Sequence, residues 1–266
     1  MPVTYDGDRD DAADLHRFYR GIRNAPWQQD PQRFLQDPLN ALRFELILDQ
    51  VRRLAPRSLL DVGCGAGTLL GLIAQTQPET FVCGADLNPA GAGSAPVFAA
   101  DACALPLPDA SFHCMICSET LEHLPAPEAA LSEFHRILKP GGHLLVTVPN
   151  LFCLDSIEGR LHVFESMGRA LHLAGISSRW KNGINTHLQK MSPRQWSRAF
   201  TSQGFAIRDM QPIYVFPYVP YFFGPAKTLE QALFRIPGVK ALQSAADRAC
   251  THLPVGQLHF FLCESI

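Results

Sequence analysis

The stretch Ser58-Leu59-Leu60-Asp61-Val62-Gly63-Cys64-Gly65-Ala66-Gly67-Thr68 decides the fold. Its first half is a short apolar run, as expected of a strand covered on both faces in a parallel sheet. Its second half places glycines after the strand and before a helical pattern, so the backbone can turn tightly and approach a bound ligand with no Cβ in the way. Upstream, Leu42, Leu46, Ile47, Val51 and Leu54 recur at helical spacing, which predicts a helix from Asn40 to Ala55 stopped by Pro56.

Downstream the alternation repeats. The pattern predicts a helix over Leu69 to Gln75 and strands at Thr80 to Asp86, Val97 to Ala100 and Phe112 to Cys117. A helix from Pro127 to Leu138 follows, stopped by Lys139-Pro140-Gly141-Gly142, and then a strand at His143 to Val148. Ser192-Pro193 opens a further helix reaching Gly204, with Trp196 and Phe200 inward. Phe205 to Val215 and Gln257 to Glu264 are the last predicted strands, with a helical region from Lys227 to Thr251 between them. Strands alternating with helices imply right-handed crossovers. The expected fold is therefore α/β: a doubly wound, mostly parallel, seven-stranded Rossmann-like sheet with helices on both faces. Residues 1–39 are expected to form an N-terminal helical cap segment, and 40–266 the main domain with an insertion at 151–190 over its mouth.

Composition narrows the partners. The chain has 266 residues, 47% of them hydrophobic, and a net charge of −2. It can bury a large core, and it has no global basic field, which disfavours nucleic acid. No run reaches the roughly 20 apolar residues of a membrane span, and the acidic N-terminus lacks a signal-peptide core. The eight cysteines are scattered, which suits thiols in a reducing compartment and a cytoplasmic location. Cys114 and Cys117 form a CxxC inside a predicted strand, without the turn or second pair of a zinc ribbon.

Three acids stand at successive strand-to-helix junctions: Asp61, Asp86 and Asp101. Asp61 lies two places before the first glycine, where its charge would repel a pyrophosphate but not a cationic amino-acid moiety. Asp86 ends the next strand and can accept both hydroxyls of a ribose; Asp101 can accept from an adenine amino group. Each alone is equally a strand-end cap, but all three lie at the carboxyl edge of the sheet, where such folds bind ligands.

With these residues in place, the segment from Leu59 to Asn150 resembles the core of class I S-adenosylmethionine-dependent methyltransferases. The matching stretches are Leu60 to Gly67, Gly84-Ala85-Asp86, Asp101-Ala102 with Leu105 to Phe112, Ser118-Glu119-Thr120-Leu121-Glu122-His123-Leu124, and Leu138 to Gly142. The resemblance implies S-adenosylmethionine as cofactor, bound by Asp61, Gly63, Cys64, Gly65, Gly67, Asp86, Leu87, Asp101, Ala102 and Ser118. Asp86 would take the ribose, and Asp101 with Ala102 the adenine. One departure is evident: Asn88 to Pro96 is too rich in Gly, Ala and Pro for the usual helix, which leaves the adenine side more open.

Methyl transfer from a sulfonium is an in-line displacement, so a base is needed only when the acceptor has a proton to lose. Glu119, Glu122, His123 and the later His187 resemble the set with which ubiquinone-pathway O-methyltransferases and small-RNA 2′-O-methyltransferases hold a divalent metal. Carried over, magnesium on these four would activate an acceptor hydroxyl. Otherwise His187 or His123 serves directly as base, beside Glu119, or Glu122 and His123 simply cap a helix start. Phe18, Tyr19, Trp27, Phe152 and Trp180 are expected to line an apolar acceptor pocket. The aromatic run from Tyr214 to Phe223 is a lid, a dimer surface, a peripheral contact for a lipid-like acceptor, or a buried strand and turn. The expected reaction is methylation of a small molecule, on an oxygen of a hydrophobic or phenolic compound. An RNA acceptor would instead use Arg160, Arg169, Arg179 and Lys181; a non-catalytic cofactor-binding protein would need only the glycine loop.

Overall fold

The computed structural model describes residues 35–89, 95–150, 188–189, 191–215, 224–236, 238–251 and 253–266. Helix α1 (Pro38–Leu54) begins two residues earlier than its apolar pattern, because the Asp37 carboxylate accepts from the N–H groups of Leu39 and Asn40. It leads into β1 (Ser58–Val62), α2 (Thr68–Thr76), β2 (Phe81–Asp86) and β3 (Val97–Ala99). Then come β4 (Phe112–Ser118), a single 3₁₀ turn (Leu121–His123), α3 (Pro127–Ile137) and β5 (Leu138–Pro149). The remaining elements are α4 (Pro193–Ser202), β6 (Phe205–Ile213), α5 (Gly224–Leu233), α6 (Val239–Ala249) and β7 (Leu258–Ser265).

The seven strands run in the order β3-β2-β1-β4-β5-β7-β6. Pairings from β3 through β5 are parallel, and β7 inserts antiparallel between β5 and β6. Side-chain alternation sends Leu60, Val62, Met115, Cys117 and Phe261 to one face, packed with Phe134, Trp196 and Phe200. Leu59, Cys114, Ile116, Leu145 and Phe260 go to the other, against Ile47, Val51, Leu70 and Ile73. Helices thus cover both faces, as expected, and β1 turns at the point where the strand order reverses. Cys114 and Cys117 are buried free thiols.

Two further boundaries differ from expectation. Lys139 to Gly142, read as a stop, lie inside β5: Phe112 pairs with Leu138, and the register resumes only at Cys114 with His143. The pattern fails there because one residue of β4, His113, stands opposite four of β5, a bulge that Gly141 at φ +74° accommodates. The helical region before β7 is two helices, separated at Gly238, rather than one. The described residues between β2 and β3 form no helix, in agreement with their composition. The expectations for residues 1–34, for the insertion from 151 to 187 and for 216–223 lie outside the described residues, including those for Phe18, Tyr19, Trp27, Phe152, Trp180, His187, Arg160, Arg169, Arg179 and Lys181. Among the described residues no helix is long and apolar enough to cross a membrane.

Candidate functional site

The glycine loop sits between the end of β1 and the start of α2. Gly63, Gly65 and Gly67 all have positive φ, at +78°, +55° and +72°, which an L side chain adopts only at a cost. Gly63 is also confined: a Cβ there would lie 2.0 Å from Thr120 Oγ1. The backbone of the loop therefore packs against the segment after β4, joining the two halves of the site.

Asp86 anchors this loop. Its Oδ2 accepts from the Gly65 N–H at 2.8 Å and its Oδ1 from the Asn88 N–H at 2.8 Å. Leu87 is half-buried beside it. Asp101 accepts from the Cys103 N–H at 2.9 Å, next to the buried Ala102. In both cases the strand-end cap is real, and the Asp86 carboxylate retains lone pairs for a ligand. The Cys64 side chain packs over Gly84, where a Cβ would meet its Sγ at 2.6 Å. Burial and the neighbouring Asp61 push its thiol up, so it is an inert wall. Ser118 ends β4 with its hydroxyl 2.8 Å from that of Thr147.

Asp61 differs from the other two acids. It is 3% exposed, and desolvation, reinforced by the charge of Asp86 and relieved by that of Arg43, pushes its carboxyl up to about 7. A buried acid poised near neutrality favours the arrival of a cation.

Arg43 was not evident from sequence, because one arginine between Leu42 and Phe44 in an amphipathic helix resembles a solvated residue. It is in fact buried at 6%, with Nη1 3.8 Å from Glu119 Oε2 and Nη2 donating to Asn40 at 3.0 Å. Glu119 itself has φ +54°, a strained backbone that turns the chain at the end of β4. Glu122 is fully buried, with Oε1 3.7 Å from His123 Nε2 and no hydrogen bond to its carboxyl oxygens among the described residues. Burial, and then the nearby Glu119, hold it well above the usual carboxylate range.

These features do not fit magnesium on Glu119, Glu122 and His123. A guanidinium already stands beside Glu119, where its charge competes with a cation, and among the described residues no three His, Cys, Asp or Glu side chains gather as a metal group. The fourth expected ligand, His187, is outside the described residues. The chain just after it is held here: the Gln189 N–H donates to the Glu122 carbonyl and its side-chain amide to the Leu124 carbonyl, both at 2.9 Å.

A methyltransferase-domain family model matches residues 29–209. The ubiquinone biosynthesis O-methyltransferase of Pseudomonas entomophila (strain L48) is 27% identical over 179 residues, covering 61% of this chain and 75% of that protein. A 37.1 kDa protein in transposon TN4556 of Streptomyces fradiae is 31% identical over 179 residues, 63% of this chain; the chain spans about half, 49%, of that protein's length. Among solved structures, one from the complex between the Haloferax volcanii Trm112 methyltransferase activator and a methyltransferase superposes with a TM-score of 0.53 at 16% identity, over 92% of this chain and 99% of that one. That last likeness concerns the fold.

Proposed function

The chain belongs to the class I S-adenosylmethionine-dependent methyltransferases, and from that premise we propose that it transfers the sulfonium methyl group to an oxygen of a hydrophobic or phenolic small molecule. The observation that carries the cofactor part is the row of acids at the ends of β1, β2 and β3, with the glycine loop tied to the second of them. Asp61 attracts the ammonium of the cofactor's amino-acid end, which lies over Gly63, Cys64, Gly65 and Gly67. Asp86, with Leu87, takes the ribose, and Asp101 with Ala102 the adenine. Ser118 closes the far side.

The oxygen acceptor is supported by the corner after β4 and by the likeness to a ubiquinone-pathway O-methyltransferase. His123 is half-buried at the mouth, next to a Glu122 whose carboxyl burial, and then Glu119, hold above the usual range. In this assignment the imidazole accepts the hydroxyl proton as the oxygen attacks the methyl and the thioether departs. The Glu119 carboxylate, held by Arg43, orients the acceptor. No step is routed through a metal ion.

Calorimetric titration with S-adenosylhomocysteine is the first test. Micromolar binding to the wild type, lost in Asp86→Ala, supports the cofactor assignment, and absence of binding overturns it. Labelled methyl transfer to a panel of phenols, reduced at least about 100-fold in His123→Ala as is typical for loss of a general base, supports the acceptor chemistry. Unchanged turnover in that variant sinks the role of His123.

A further inference from the structure

The helical hairpin of α5 and α6, inserted between β6 and β7, is amphipathic in the reverse sense. Among its described side chains the buried ones are polar, Glu230 at 6% exposure, Gln243 at 1% and Asp247 at 7%, with the partly buried Phe234 stacked on Tyr214 beside them. They face inward because the end of β6 needs them. The Tyr214 hydroxyl donates to Glu230 at 2.5 Å, and the Tyr214 and Val215 N–H groups donate to the two oxygens of Asp247 at 3.1 and 2.8 Å. Gln243 donates to the same carboxylate at 2.8 Å.

The outer side is aliphatic. Leu229 and Leu242 are 61% exposed, Ile236 50% and Leu233 45%. Of the seven large hydrophobic side chains exposed among the described residues, five lie between 229 and 253. A face that turns leucines outward and acids inward is built for an apolar surrounding. The charges on it have one sign: among the described residues the outward ionisable groups of the hairpin are Lys240, paired with Glu45 of α1, and Arg235 and Arg248, while its acids are the buried Glu230 and Asp247.

We propose that this hairpin docks the protein on an anionic lipid bilayer surface, with Leu229, Leu233, Ile236 and Leu242 entering the boundary between headgroups and acyl chains and Arg235 and Arg248 at the headgroup phosphates. The charge favours a bilayer over a second copy of the chain, since self-association hairpin to hairpin would bring like arginines together, and among the described residues the hairpin itself carries no outward acid to meet them. Neither helix is long enough to span, so the contact is interfacial. The docking surface stands independently of the acceptor assignment.

Co-sedimentation with vesicles tests it, using phosphatidylcholine alone and phosphatidylcholine mixed with phosphatidylglycerol. The wild type is expected to pellet with the mixed vesicles and to be released by high salt. Leu233→Glu/Leu242→Glu is expected to lose at least tenfold in affinity. Arg235→Gln and Arg248→Gln, changes at exposed side chains, should each cost about fivefold, the equivalent of about 1 kcal/mol per basic residue at an anionic surface. S-adenosylhomocysteine binding should be unchanged in every variant, which separates this outcome from failure of the cofactor assignment. A wild type that stays in the supernatant with both vesicle types overturns the proposal. So does a wild-type dimer in light scattering that Leu233→Glu/Leu242→Glu converts to monomer.

Discussion

Cofactor affinity should depend on pH through Asp61. In the ligand-free protein this carboxyl sits at about 7 rather than its ordinary 3.8, chiefly through burial. The proposed ligand ammonium interacts with the charged form, so binding at acid pH first requires a proton to leave. The apparent dissociation constant then scales as one plus the ratio of proton concentration to the free-state acid constant. Relative to about pH 8.5, affinity for S-adenosylhomocysteine should weaken about twofold at pH 7 and about thirtyfold at pH 5.5, or roughly 2 kcal/mol. Calorimetry in two buffers of different ionisation enthalpy should register close to one proton released per ligand bound near pH 6, falling toward zero at pH 8.5. Asp61→Asn should bind weakly and without this dependence. A wild-type constant that is flat between pH 5.5 and 8.5, or a proton taken up rather than released, would refute the reasoning.

Other perturbations test neighbouring parts of the site. Asp61→Asn should also stabilise the ligand-free protein at pH 8, because a carboxyl whose pKa is raised on folding gives its full contribution below 3.8 and loses it as pH rises through about 7. The gap corresponds to at most roughly 4 kcal/mol, and melting temperatures of the two proteins should converge near pH 4. Arg43→Met leaves Glu119 and Asp61 without their buried cation; a loss of about 3–5 kcal/mol is expected, larger at pH 8 than at pH 5.5, and equal losses by denaturant titration at both would contradict it. Gly63→Ala meets both a positive φ and Thr120, so cofactor binding should vanish in calorimetry, with only partial recovery in Gly63→Ala/Thr120→Gly, where the dihedral cost persists. Phe200→Ala opens the layer between α4 and β7 and should cost about 3–5 kcal/mol in urea unfolding while leaving affinity unchanged.

Much of this architecture was legible because two periodicities alternate cleanly from Ser58 to Val148, and because glycines at 63, 65 and 67 mark a turn of the required hand. Where sequence failed, a tertiary relation had overridden a local one. Lys-Pro-Gly-Gly is chemically a loop, yet the neighbouring strand pulls it into a bulged β5. Arg43 belongs by pattern to a helix surface, yet α1 lies on the sheet so that its guanidinium reaches Glu119. That contact in turn changes the prospects of the Glu119-Glu122-His123 set as a metal site, a matter of charge placement that spacing does not reveal. The reversed polarity of α5 and α6 was hidden because their leucines follow the ordinary helical pattern; only the hydrogen bonds of Tyr214 and Val215 show which side is inward.

The two hydrogen bonds that Asp86 accepts from Gly65 and Asn88 have a kinetic corollary. They hold the loop in its turned shape through the protein's own groups, so the entropy of ordering it is spent during folding and not at each encounter. Capture of the cofactor should then proceed at the pace of ordinary docking, on the order of 10⁵–10⁷ M⁻¹s⁻¹, with no slow isomerisation at saturating ligand. Substitutions around the loop that spare those two bonds should change residence time and leave the association rate nearly constant.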